Sequence, residues 1–173
     1  MADLATHHPG APSCLAPLLL EVVRLGHGEA VHLPAGNLHA YLRGTGVEIM
    51  AASDNVLRGG LTPKHIDVAE LLEIVRFEPG IPAAPQQRRL GDFTWYDAGE
   101  ELFALACVPA APTGSALQLQ APALLLAPGG HLEVQQGADL LSAAPGQAVY
   151  AEPGDALMIQ GAVETWVAST GGG

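Results

Sequence analysis

Gly28-Glu29-Ala30-Val31-His32-Leu33-Pro34-Ala35-Gly36-Asn37-Leu38-His39 is the stretch on which the reading of this chain turns. Gly28 opens it with a turn, and Glu29 to Leu33 has the length and apolar content of a short strand. Pro34-Ala35-Gly36-Asn37 is turn chemistry: Pro presets one φ, and Gly permits the left-handed backbone a reversal needs. His39 then stands at the start of the next strand, facing inward. A neutral imidazole placed there can hold Zn²⁺ or a similar metal. The plain alternative is a turn His satisfied by one hydrogen bond.

Outward from this stretch the pattern is mainly β. Leu18 to Leu25, Glu29 to Leu33, His39 to Arg43 and Val47 to Ala51 each read as a strand, with Gly44-Thr45-Gly46 as a turn. Ser53 to Lys64 has no period and contains Gly59, Gly60 and Pro63, so it reads as a structured loop. Asp67-Val68-Ala69-Glu70 fits a capping box, and Val68, Leu71, Leu72 and Val75 follow at helical spacing. One short helix is expected over roughly 68–76.

Pro79, Pro82 and Pro85 mark a linker or surface crossing. Beyond them, short apolar segments punctuated by Pro and Gly run to residue 168, the pattern of a small sandwich or barrel. Gly146 to Gly154 echoes Gly28 to Gly36, but no His stands where His39 would recur, so this copy reads as structural. The expected organisation is a loose N-terminus at 1–14, a partial β unit at 15–78, a proline-rich linker at 79–90 and a second β domain at 91–173.

Composition narrows the function classes. Seven Lys and Arg face 18 Asp and Glu, a formal charge of -11. Without a basic cluster, such a chain is a poor binder of nucleic acid or anionic membranes. Any anion must be held by local cations against the overall field. Cys14 and Cys107 form neither a disulfide framework nor a thiolate zinc site, and a reducing compartment is the simpler reading. The apolar run Leu15 to Leu25 is broken by Pro17, Glu21 and Arg24 and is too short to span a bilayer. A soluble cytoplasmic protein is expected.

The turn-strand-turn-His order resembles the second half-motif of cupin barrels. Leu33-Pro34-Ala35-Gly36-Asn37-Leu38-His39-Ala40-Tyr41-Leu42 then continues through Val47-Glu48-Ile49-Met50 to Ser53-Asp54-Asn55-Val56-Leu57-Arg58-Gly59-Gly60-Leu61-Thr62-Pro63-Lys64. Over about thirty positions this run resembles the type I mannose-6-phosphate isomerases, and a weaker likeness spans residues 7–90. The resemblance implies cupin or jelly-roll-like β units, the first of them incomplete, and residues 91–173 as a C-terminal non-catalytic cupin-like domain.

It further implies zinc as cofactor, with His39 as a metal ligand, and a hexose 6-phosphate as substrate. Arg58, Glu48 and Asp54 take catalytic positions, while Lys64, Arg58 and Tyr41 take substrate-binding ones. The family interconverts mannose 6-phosphate and fructose 6-phosphate by moving a proton between C1 and C2 through an enediol. The other zinc ligands of the family, a Gln, a His and a Glu, have no equivalent before His39, where no Gln occurs. The chain is therefore expected to be the C-terminal portion of such an enzyme and inactive alone. The alternatives are a non-catalytic sugar-phosphate-binding cupin, or one chain of a split isomerase completed in trans by an N-terminal half.

Each residue also has a plainer reading. Arg58 could be a solvated loop Arg, Lys64 a surface Lys, Glu48 a solvent-facing strand carboxylate and Asp54 an ordinary turn residue. The catalytic base is left between Glu48, Asp54 and groups outside this chain.

Overall fold

A computed structural model describes residues 2–53 and 56–171. It divides into two compact units, Met1–Thr45 with Ala52–Ala84, and Gly46–Ala51 with Pro85–Gly173.

The second unit holds all ten strands among the described residues. β1 (Gln86–Leu90), β2 (Phe93–Asp97), β3 (Phe103–Val108), β5 (Ala123–Leu126), β8 (Ala148–Ala151) and β10 (Thr165–Thr170) form a six-stranded sheet in the order β1-β2-β3-β10-β5-β8. β4 (Ala111–Leu117), β6 (Leu132–Gln136), β7 (Asp139–Ala143) and β9 (Leu157–Gly161) form a four-stranded sheet in the order β4-β9-β6-β7. All pairings are antiparallel.

Alternation in β5, β6, β8 and β9 explains why the sheets face each other. In β5, Ala123 and Leu125 are buried while Leu124 is exposed; in β6, Leu132 and Val134 alternate with Glu133 and Gln135. Period-two patterning puts every second side chain on one face. Phe93, Val108, Leu125, Val149 and Val167 from the larger sheet thus share one core with Leu117, Leu132, Val134, Leu157 and Ile159 from the smaller. Each such fully buried side chain contributes roughly 1.5–3 kcal/mol relative to exposure. The Ser115 hydroxyl, buried on β4, donates to the Asp92 carboxylate in the β1–β2 turn at 2.9 Å and ties the two sheets together.

β1 departs from expectation, since it lies inside the stretch 79–90 that its prolines mark as linker. The last of those prolines is Pro85, and Gln86 to Leu90 is exposed throughout. An edge strand needs no buried face, so no apolar alternation signals it.

The first unit departs further. The strands expected at Leu18 to Leu25, Glu29 to Leu33, His39 to Arg43 and, in the segment grouped with the second unit, Val47 to Ala51 are not formed. A strand exists only with a laddered partner, and these segments lie in irregular backbone. The N-terminus expected to be loose is ordered instead into α1 (Ala2–His7) and a 3-10 helix at Pro12–Leu18. Pro12 opens that helix at a position where the missing N–H costs nothing. The expected single helix therefore has company, and it is itself present as α2 (Val68–Ile74). The Asp67 side chain caps it, accepting the Glu70 N–H at 3.0 Å.

Candidate functional site

Within the first unit, the turn that launches His39 is anchored from beneath. The Asn37 N–H donates to the Pro34 carbonyl at 3.3 Å. Gly36 sits at φ +84, and a Cβ there would lie 2.7 Å from the Ile74 carbonyl oxygen. The Arg76 N–H donates to the Gly36 carbonyl at 2.9 Å. The end of α2 therefore holds the turn, and both backbone conformation and closeness demand Gly.

His39 is exposed, and its Nδ1 lies 3.0 Å from the Asn37 carbonyl oxygen. A carbonyl can only accept, so Nδ1 carries the proton, and in the neutral ring Nε2 is the nitrogen that keeps a lone pair. That is the tautomer and orienting bond of a metal-binding imidazole. The Tyr41 ring meets the His39 ring edge-on, with centroids 6.1 Å apart and planes at 75°. Tyr41 is 75% exposed, so it lines a surface rather than filling a core.

The loop carrying Arg58 packs against this segment. The Leu38 side chain occupies the space a Cβ on Gly59 would need. Gly60, at φ +139, lies over Ser13, and the Leu61 N–H donates to the Ser13 hydroxyl oxygen at 3.3 Å. Arg58 itself is half-buried. Lys64 is exposed, with its backbone N–H donating to the Thr62 hydroxyl oxygen at 3.2 Å.

The structure thus brings His39, Tyr41 and the Arg58 loop together in the first unit. Glu48 is exposed on the segment 46–51 that clusters with the second unit, and Asp54 lies outside the described residues. Sequence reasoning missed Ser13 and Leu38. A lone Ser and a lone Leu carry no pattern, although the paired glycines at 59 and 60 signal that something approaches closely.

Among the described residues, no group of three or more His, Cys, Asp or Glu could hold a metal ion. Zinc normally takes three or four protein ligands, and His39 supplies one. The residues brought together here do not fit a complete zinc centre.

No family model matches the chain. Curated relatives do. The mannose-6-phosphate isomerase of Salmonella typhimurium is 53% identical over 76 residues, which is 44% of this chain and 19% of that protein. The mannose-6-phosphate isomerase of Escherichia coli is 35% identical over 149 residues, 85% of this chain and 38% of that protein. This chain is a relative of the mannose-6-phosphate isomerases. Solved structures agree along its length. Phosphomannose isomerase from Salmonella typhimurium, in a point-mutant crystal form, superposes with a TM-score of 0.80 at 31% identity, covering 96% of this chain and 45% of that one. The same organism's mannose 6-phosphate isomerase bound to fructose 6-phosphate and zinc gives a TM-score of 0.78 at 31% identity, covering 96% and 44%. The chain spans about a fifth to two-fifths of these curated mannose-6-phosphate isomerases, and under half of the solved ones. None of its described helices is long and apolar enough to cross a membrane.

Proposed function

We propose that this chain is the C-terminal portion of a mannose-6-phosphate isomerase, and that its first unit presents part of the sugar-phosphate site. The observation that carries this reading is 35% identity to the Escherichia coli isomerase across 149 residues. The packing of the Arg58 loop against Leu38, next to His39, supports it.

Isomerisation moves a proton between C1 and C2 of the sugar, leaving negative charge on an enediolate oxygen as it goes. Arg58 is always charged and presents a planar fork, which suits that oxygen or the phosphate. Lys64 offers a point cation for the phosphate dianion. With a formal charge of -11 the chain as a whole repels such a substrate, so these local cations must do the holding. Tyr41 offers an exposed ring to the sugar, and Glu48 and Asp54 are the candidate proton carriers. His39 offers one metal donor, and the others must come from outside this chain. Two free thiols, Cys14 and Cys107, favour a reducing cytoplasmic setting. The proline-rich stretch from residue 79 up to the start of β1 at Gln86 is the proposed boundary between a catalytic portion and a non-catalytic cupin-like domain.

The decisive experiment supplies the missing part. The chain is fused to, or mixed with, the N-terminal part of the Escherichia coli relative, and conversion of fructose 6-phosphate to mannose 6-phosphate is followed. No turnover is expected from the chain alone, and metal-dependent turnover from the completed protein. Arg58→Ala in the completed protein should lower turnover by about two to three orders of magnitude. Turnover by the isolated chain would overturn the partial-site reading. A completed protein that binds fructose 6-phosphate but never converts it would instead favour a sugar-phosphate-binding domain.

A further inference from the structure

We infer that Ser13 is a positioning residue for Arg58: with Leu38 it holds the loop 58–61. The inference rests on the role given to Arg58 above.

The loop is over-determined. Gly60 stands at φ +139, and Leu61, a residue with a branched side chain, stands at φ +53. A non-Gly residue in left-handed backbone costs about 1 kcal/mol or more, and persists where surrounding contacts hold it. Here the contacts run along successive residues of the loop. Leu38 fills the room next to Gly59, so a side chain there would have to displace the end of the Leu38 side chain. At the next position, a Cβ at Gly60 would stand 2.5 Å from the Ser13 Cβ. The Ser13 hydroxyl oxygen accepts the Leu61 N–H, across 48 positions of sequence. Ser13 is half-buried on the 3-10 helix Pro12–Leu18, and the next residue, Cys14, is buried with its thiol donating to the His8 carbonyl at 3.4 Å.

Arg58 sits at the mouth of this clamp, one residue before Gly59. A guanidinium on a long flexible stem can meet a phosphate or enediolate only if its Cα is held in place, because misplacement by about 1 Å costs orders of magnitude in rate. The two glycines make a close approach possible but leave the backbone free to move. The Ser13 hydroxyl and the Leu38 side chain remove that freedom. Ser13 thus touches no reacting group and acts through the loop.

The test uses the full chain, isotopically labelled, with Ser13→Ala and Ser13→Thr. Three signals are read: amide exchange at Leu61, the Arg58 Nε–H resonance, and fructose 6-phosphate affinity by titration. Ser13→Ala should speed Leu61 exchange roughly fivefold, the worth of one ordinary hydrogen bond. It should also shift or broaden the Arg58 resonance and weaken the sugar phosphate several-fold. Val75, whose amide donates to the Leu71 carbonyl in the same unit, should exchange as in the parent chain, which separates the latch from destabilisation of the first unit. Ser13→Thr keeps the acceptor and should stay near the parent in all three. Unchanged Leu61 exchange and an unchanged Arg58 resonance in Ser13→Ala would overturn the inference, as would Ser13→Thr behaving like Ser13→Ala. A parent chain that binds no fructose 6-phosphate would count against the substrate reading of Arg58 alone, and the latch would still be judged on the Leu61 and Arg58 signals.

Discussion

The Gly36 carbonyl accepts the Arg76 N–H at 2.9 Å, so the turn before His39 hangs from the chain just past α2. A side chain at position 36 would strike the Ile74 carbonyl oxygen and force φ +84 on a residue with a Cβ. Gly36→Ala should therefore destabilise the first unit by roughly 1–3 kcal/mol. Amide exchange should rise at Arg76 and Asn37, with the β-sandwich unaffected. Parent-like exchange at both amides would show that the turn can relax without cost.

Leu125 is fully buried between the two sheets. Leu125→Ala removes its packing and leaves a cavity, so a loss of about 2–5 kcal/mol is expected in urea unfolding of the sandwich. Leu124, its neighbour on the outer face, is 51% exposed, and Leu124→Ala should cost far less. Equal losses at the two positions would contradict the alternation on which the fold rests.

Burial pushes the Cys107 thiol up to about 11, and the Glu164 carboxylate adds to the shift. The thiol should therefore alkylate slowly at mildly alkaline pH in the folded chain and readily once urea unfolds it. Stability follows with a definite sign. Between the usual thiol value and about 11 the unfolded chain releases this proton while the folded chain keeps it. The group's contribution is whole below the usual value and is lost as pH rises through the folded one. Tyr96, raised by burial and then by Cys107 and Glu164, pulls the same way. Urea midpoints at pH 8 and pH 10.5 in the parent and in Cys107→Ala check this, and the variant should lose part of the alkaline decline.

Zinc offers a further test. A single imidazole with a free Nε2 binds zinc weakly, so the isolated chain should not retain stoichiometric metal through dialysis. Supplying the rest of the isomerase should restore retention, and His39→Ala should reduce it again. Stoichiometric zinc held by the isolated chain and lost on His39→Ala would mean that further ligands come from residues such as Asp54, outside the described ones.

Much of this was legible in the sequence because it is local. The Asp67 cap, the helical spacing behind it and the Pro34–Gly36 turn are decided by neighbours a few residues apart, and the structure keeps all of them. The short apolar segments of the second unit, punctuated by Pro and Gly, were legible as strands because burial of one face marks them, whereas the wholly exposed β1 was not. The echo of the His39 motif was legible too: Leu157 stands three residues after Gly154, as His39 stands three after Gly36. Leu157 is 1% exposed in the hydrophobic core, whereas His39, expected to face inward, is exposed, so only the second copy turns that position to packing.

What the tertiary structure alone decided is pairing. Leu18 to Leu25 and His39 to Arg43 have the composition of strands, yet a strand is a relationship between two segments, and none of these found a laddered partner here. β1 shows the converse, a polar exposed segment made into a strand by its neighbour β2. The clamp of Ser13 and Leu38 on the Arg58 loop is likewise set by contacts between residues distant in sequence, which no local periodicity encodes.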